Sequence, residues 1–133
     1  MKNEYFNASG CPDTTAYQAI KNISYMPIVY ICSPYRGDTK RNTELARRYS
    51  KFAVDEGAIP ITPHLVFPQF LNDDIEDERK HAIRMNLVLL DRCAEIWVFG
   101  DRISEGMGAE IERARRRNMI IRYFTKDLKE VFN

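Results

Sequence analysis

Apolar positions along this chain follow two alternating rhythms. Ile28-Val29-Tyr30-Ile31-Cys32 is a continuous apolar run, the pattern of a strand buried on both faces. The turn-rich segment Ser33-Pro34-Tyr35-Arg36-Gly37-Asp38 ends it. From Thr39 to Glu56 the period lengthens. Leu45, Tyr49, Phe52 and Ala53 recur at helical spacing, and Gly57 stops the helix. Ala58-Ile59-Pro60-Ile61 reads as a second short strand. The loop Thr62–Phe70 follows, with two prolines and two aromatic residues. A second long helix is expected from about Asp77 to Arg92, with Ile83, Leu87 and Leu90 as its apolar stripe. Glu95-Ile96-Trp97-Val98-Phe99 is the third strand, closed by Gly100-Asp101. Gly106 and Gly108 lead into a third helix over Ala109–Asn118, Met119–Phe124 is the fourth strand, and a last helix spans Lys126–Phe132.

Strands alternating with helices imply right-handed crossovers and a parallel sheet. The expected fold is α/β, a Rossmann- or flavodoxin-like three-layer domain with a parallel sheet of four to five strands. Residues 1–26 stand outside the alternation. There Asp13-Thr14-Thr15 can cap a short helix, Ala16–Ile20. The division expected is a helical extension over 1–26 and one α/β domain over 27–133. In open sheets of this kind a ligand sits beyond the carboxyl ends of the strands, where strand order reverses. That rule selects three loops: 33–38, 62–70 and 100–108.

Composition narrows the function classes. A length of 133 residues suits one domain, and 44% hydrophobic with 29% charged residues describes a globular chain rather than a disordered one. A formal net charge of +1 gives no pull toward nucleic acid or an anionic membrane, so neither is expected as a partner. No apolar run approaches the ~18 residues that span a bilayer. The first residues lack the apolar core of a signal peptide, which makes a cytoplasmic location the expectation. Cys11, Cys32 and Cys93 form no CxxC pair and read as three reduced thiols, two of them buried. No metal-ligand cluster or cofactor motif stands out, so neither metal nor cofactor is expected. The run Arg113-Ala114-Arg115-Arg116-Arg117 reads as a solvated helix face whose charges oppose the helix dipole, with some arginines in reach of an oligomer interface.

Four constellations carry possible chemistry. Ser104-x-Gly106-x-Gly108-x-Glu110 follows a strand and opens a helix. Glycines there allow close backbone approach, and free N–H groups favour an anion. The same residues also serve as a serine N-cap, packing glycines and a surface glutamate. Tyr30 to Gly37 is a strand that ends in small and basic residues. Arg36 offers a bidentate fork to phosphate, or else lies in solvent. His64 is either a satisfied structural histidine or a site residue at a strand's carboxyl end. Tyr35, Phe67 and Phe70 offer stacking surface or core. Asn86 interrupts the apolar stripe of the second long helix. Its amide needs either a backbone partner or a ligand.

These residues carry a family resemblance. Residues 27–124 resemble the nucleoside 2-deoxyribosyltransferase superfamily, which includes the 2′-deoxynucleoside 5′-phosphate N-hydrolases. The resemblance rests on Tyr30-Ile-Cys-Ser-Pro-Tyr-Arg-Gly37, Ala94-Glu-Ile-Trp-Val-Phe99, and Ser104-x-Gly-x-Gly-x-Glu110 with the following Ala114. It is nearest to an often phage-associated branch and leaves out residues 1–26. It implies that Glu110 is a nucleophile that attacks the anomeric carbon, displaces the base and forms a glycosyl ester, which water or another base resolves. Tyr30 would position Glu110 or the sugar. Ser104 and Arg36 would hold a 5′-phosphate, with Ser33, Tyr35, Gly37, Asp38, His64, Gly106 and Gly108 completing the substrate site. Sites shared between subunits imply a homodimer or larger homo-oligomer. One departure stands out. The family has an aspartate that assists departure of the base, and the nearest position here is Asn86. Asparagine cannot protonate a base, and such assistance is typically worth ~10²–10⁴ in rate. Asp91 faces another side of the helix, which leaves His64 or Asp38 to substitute. The implied activity is cleavage or transfer at the N-glycosidic bond of a nucleoside 5′-phosphate. The competing reading is a protein that binds or sequesters a nucleotide without turning it over. A third is an assembly subunit with its arginine-rich helix at an interface.

Overall fold

The computed structural model describes residues 14–21 and 24–132. A short helix, α1 (Thr14–Lys21), precedes the sheet-forming chain; the cap expected at Asp13, and Cys11, lie outside the described residues. The order is then β1 (Ile28–Cys32), α2 (Thr39–Asp55), β2 (Ile59–Ile61), two single 3-10 turns, α3 (Glu76–Asp91), β3 (Glu95–Phe99), α4 (Glu105–Arg116), β4 (Ile120–Phe124) and β5 (Glu130–Val131). The five strands form one sheet in the order β2-β1-β3-β4-β5. β1 to β4 are parallel and β5 is antiparallel to β4. This is the flavodoxin-like strand order. Neighbouring β1 and β3 send their connections to opposite sides of the sheet, which opens a crevice at their carboxyl ends. No helix among the described residues is long and apolar enough to cross a membrane.

The continuous apolar run of β1 is buried on both sides because strand side chains alternate. Val29 and Ile31 join Tyr49 and Ala53 of α2 with Trp97, Phe99 and Phe124. Tyr30 and Cys32 face the other way, toward Leu90 of α3 and Met107, Ile111 and Ala114 of α4. Both edges of the sheet are short: β2 has three residues with Pro60 in its middle, and β5 has two.

Two expectations are corrected. Lys126–Phe132 is not a helix but a turn leading into β5. Thr125 Oγ1 accepts N–H bonds from Asp127 and Lys129, both at 3.2 Å, and Leu128 takes a left-handed φ of 69°. The chain thereby doubles back onto the open edge of β4, where Arg122 grips Glu130 through two bonds of 2.9 and 2.7 Å. Ladder bonds and this fork outweigh the helical tendency of seven residues, too few for a stable isolated helix. The second correction concerns α4, which starts at Glu105 rather than Ala109. Ser104 caps it, its hydroxyl accepting from the Met107 N–H at 3.3 Å. Gly106 and Gly108 therefore lie inside the first turn, where the cap offsets their poor helix propensity.

Candidate active site

Alternation along β1 puts Tyr30 and Cys32 on one face, and α4 lays Glu110 against them. Glu110 is 7% exposed. It accepts a hydrogen bond from the Tyr30 phenol, and the Cys32 thiol also donates to it. The same thiol lies 4.0 Å from the Met107 carbonyl. Burial raises the Glu110 carboxyl to a pKa of about 7, while the Tyr30 and Cys32 hydrogen bonds pull it down. Burial first, and the Glu110 charge second, push the Tyr30 and Cys32 values well up. Both groups therefore keep their protons and stay donors.

Glu110 borders a cavity of about 370 Å³, within the size range of small-molecule sites. Its walls are the loop after β1, the segment from Pro63 to Asp73, one face of α3 and the start of α4. Ser33, Tyr35, Arg36, His64, Asn86, Ser104 and Gly106 all line it beside Glu110. A Cβ at Gly106 would meet no protein atom within 4 Å, so the missing side chain leaves that stretch of wall open. Tyr30 is not on the wall but stands behind Glu110. Three expected residues lie elsewhere. Gly37, at φ 97°, belongs to an outer hollow, Asp38 caps α2 by accepting from the Arg41 N–H at 3.1 Å, and Gly108 looks toward Ile103. Phe67 reaches the cavity, while Phe70 packs edge-on against it from the outer hollow at 6.0 Å.

Polar groups on the wall have contrasting fates. His64 Nε2 lies 3.0 Å from the Ser33 carbonyl, which can only accept, so Nε2 carries the proton. Burial lowers the His64 pKa and the ring is neutral. Tyr35 stacks on it at 5.1 Å. Ser33 Oγ and Asn86 Oδ1 are buried without any hydrogen-bond partner. Of the two fates open to Asn86, a backbone tie through that oxygen is therefore not the one found. Asp91, on another face of α3, pairs with Arg113 at 2.6 Å and Arg117 at 3.2 Å.

Sequence reasoning missed Asp73, Arg79 and Cys32. Asp73 lines the cavity and binds Arg36 at 2.9 Å, with Arg79 at 3.8 Å. Arg79, Ala82, Ile83 and Asn86 follow helical spacing and all line the cavity. That stripe of mixed polarity was a readable signal for Arg79. Cys32 was readable from its place two residues after Tyr30.

Residues 27–124 match the family described as "Domain of unknown function (DUF7768)". The chain belongs to this family. Every cavity residue named above falls within the DUF7768 span, whereas α1 and β5 fall outside it. No match was found among curated proteins. Among solved structures, the fold is similar to that of a 2-deoxyribosyltransferase from the psychrotolerant bacterium Bacillus psychrosaccharolyticus. That likeness has a TM-score of 0.62 at 14% identity and covers 80% of this chain and 77% of that one. A 2-desoxiribosyltransferase from Leishmania mexicana is similar with a TM-score of 0.51 at 14% identity, covering 74% of this chain and 64% of that one. At these identities the likeness establishes a shared fold for this DUF7768 chain.

Proposed function

We propose that this chain cleaves, or transfers across, the N-glycosidic bond of a nucleoside or nucleoside 5′-phosphate, with Glu110 as nucleophile. The observation that carries the reading is a buried carboxylate on a cavity wall, oriented from behind by the Tyr30 phenol and Cys32 thiol. The shared fold with two deoxyribosyltransferases supports it. A Glu110 oxygen forms a bond to the anomeric carbon as the carbon–nitrogen bond breaks and its electron pair leaves with the base. Water or a second base then attacks the same carbon and frees Glu110. Tyr30 acts on Glu110 rather than on the sugar, because it stands behind the carboxylate. The uncapped N–H groups at the start of α4, the Ser104 hydroxyl and Arg36, all on the cavity wall, would receive a 5′-phosphate. A second copy of the chain would complete the open side of the site.

The test is to incubate the protein with nucleosides and their 5′-monophosphates and to follow free base by chromatography. Base release that disappears in Glu110→Ala is the expected result; no release from any of them overturns the reading. Because Glu110 must be ionised to attack, the rate should rise with pH through about 7. Asn86, an amide on the cavity wall that cannot supply a proton, favours one alternative: a protein that holds a nucleotide without consuming it. Stoichiometric binding with unchanged ligand would select that alternative.

A further inference from the structure

A nucleoside base that leaves as an anion needs a proton on departure. The ionisable groups buried beside Glu110 are each engaged elsewhere. Glu110 is committed as the attacking carboxylate, and the Tyr30 and Cys32 protons point at it from behind. The His64 Nε2 proton is held by the Ser33 carbonyl. Asp73 is paired with Arg36 and Arg79. Glu78 accepts from the Asn72 N–H at 3.1 Å, and Glu105 is exposed on the first turn of α4. Tyr35 stacks on His64, and burial makes its phenol a weaker acid still. On the same cavity wall, α3 presents the amide of Asn86.

Two buried oxygens belong to residues that line the cavity, and they bear on what fills it. Ser33 Oγ, in a residue 1% exposed, and Asn86 Oδ1 are both buried and unpartnered. Amide oxygens only accept, so Asn86 Oδ1 calls for a hydrogen-bond donor, which on a nucleobase is an N–H. A buried unpaired acceptor is costly, so a ligand that supplies the donor recovers that cost. The neighbouring Glu110 carboxylate, shut away from water, is stabilised by a positive charge placed beside it. Phe67 and Tyr35 are aromatic residues of the same wall, and aromatic rings attract cations.

Resting on the function proposed above, we infer that the leaving group is a positively charged heterocycle bearing an amino or carboxamide N–H, so that the substrate is the N-glycoside of a quaternised base. The bond electrons then return to the ring nitrogen, cancel its charge, and the base departs neutral without any proton. Glu110 forms the ester, water opens it, and one proton is released to solvent per turnover. Asn86 Oδ1 accepts from the exocyclic N–H throughout, with Ser33 Oγ as a second hydrogen-bonding point.

The test uses a matched pair, guanosine and 7-methylguanosine, with nicotinamide riboside as a second cation, each as nucleoside and as 5′-monophosphate. Base release is divided by the spontaneous rate of each compound, since cationic glycosides are inherently more labile. The expected result is an enhancement at least ~100-fold larger for the cations than for guanosine, the size of missing acid assistance. Asn86→Asp installs a carboxyl group and should shrink that ratio at least ~10-fold by raising the guanosine rate. Equal enhancement of guanosine and 7-methylguanosine by the unaltered protein overturns this inference while leaving N-glycosidic cleavage intact. A folded Asn86→Asp protein with an unchanged ratio overturns it in the same way. Absence of release from every compound overturns both. The comparison within the unaltered protein decides the matter even if the variant does not fold.

Discussion

The two faces of the sheet are built on opposite plans, although the same strands supply both. On the α2 face, Tyr49, Phe99 and Phe124 stack with ring centroids 4.3 and 5.0 Å apart, and Phe52 meets Phe99 edge-on at 6.1 Å. That face is closed and aromatic. On the α3–α4 face the same strands present Tyr30 and Cys32 to a carboxylate, and the helices stop short of closing over it. Leu90 is the one residue of α3 that is fully buried. Unpartnered Ser33 and Asn86 border the gap that remains. A single strand thus divides by parity: Val29 and Ile31 join the aromatic core, and Tyr30 and Cys32 face the carboxylate at the candidate site. Dense packing and open, unsatisfied groups exclude each other locally, and the sheet keeps them apart.

Substitutions on each face should separate these roles. The largest effect is expected from Glu110→Ala, which should reduce base release on the order of 10⁴-fold or more while leaving the aromatic face, and the far-ultraviolet spectrum, intact. Next comes Phe99→Ala on the closed face, expected to cost ~3–5 kcal/mol in urea unfolding. At temperatures where the protein stays folded, its rate per folded molecule should hold; a matching loss of rate would break the division. Glu110 also has a stability signature. Its folded pKa, about 7, lies above the ordinary carboxylate value of 4.5. The group therefore favours the fold below pH 4.5 and loses that contribution as pH rises through 7. Glu110→Gln should thus gain stability on the order of 3 kcal/mol relative to the parent at pH 9, and little at pH 4. Unfolding midpoints of both proteins across that range would check it. Smaller again is Tyr30→Phe. It removes a donor to the carboxylate, so the rising limb of the pH–rate profile should move to higher pH and the rate at neutrality fall ~10-fold. A lower rate with no movement of the limb would mean that Tyr30 acts on something other than Glu110.

The chain announced its closed face more fully than its open one. Val29, Ile31, Trp97 and Phe99 sit in apolar runs whose length and flanking turns declare buried strands, and the β-α alternation fixes their parallel pairing. Glu110, Tyr30 and Asn86 were also visible, the last because a polar residue on an apolar stripe demands an explanation. What the sequence hid was contact between distant segments. Nothing local ties Asp73 to Arg36, 37 positions apart in number, because a loop acid and a loop base advertise only solubility. Gly106 and Gly108 misled about where α4 starts, since a single serine cap overrode their propensity. The hairpin after β4 was illegible for a similar reason. Its strand exists only because β4 offers an edge and Glu130 meets Arg122.

The short outer strands also govern how copies of this protein can meet. β2 is interrupted by Pro60, which has no N–H to give to a neighbouring ladder, and β5 runs for two residues. Arg122, lying over the Trp97 ring at 4.7 Å and forked onto Glu130, fastens that second margin. Among the described residues, neither margin offers a long template on which another chain could extend the sheet, the usual route from folded β-structure to fibre. Any self-association would thereby fall to helix and loop surfaces, and the open cavity lies among those surfaces.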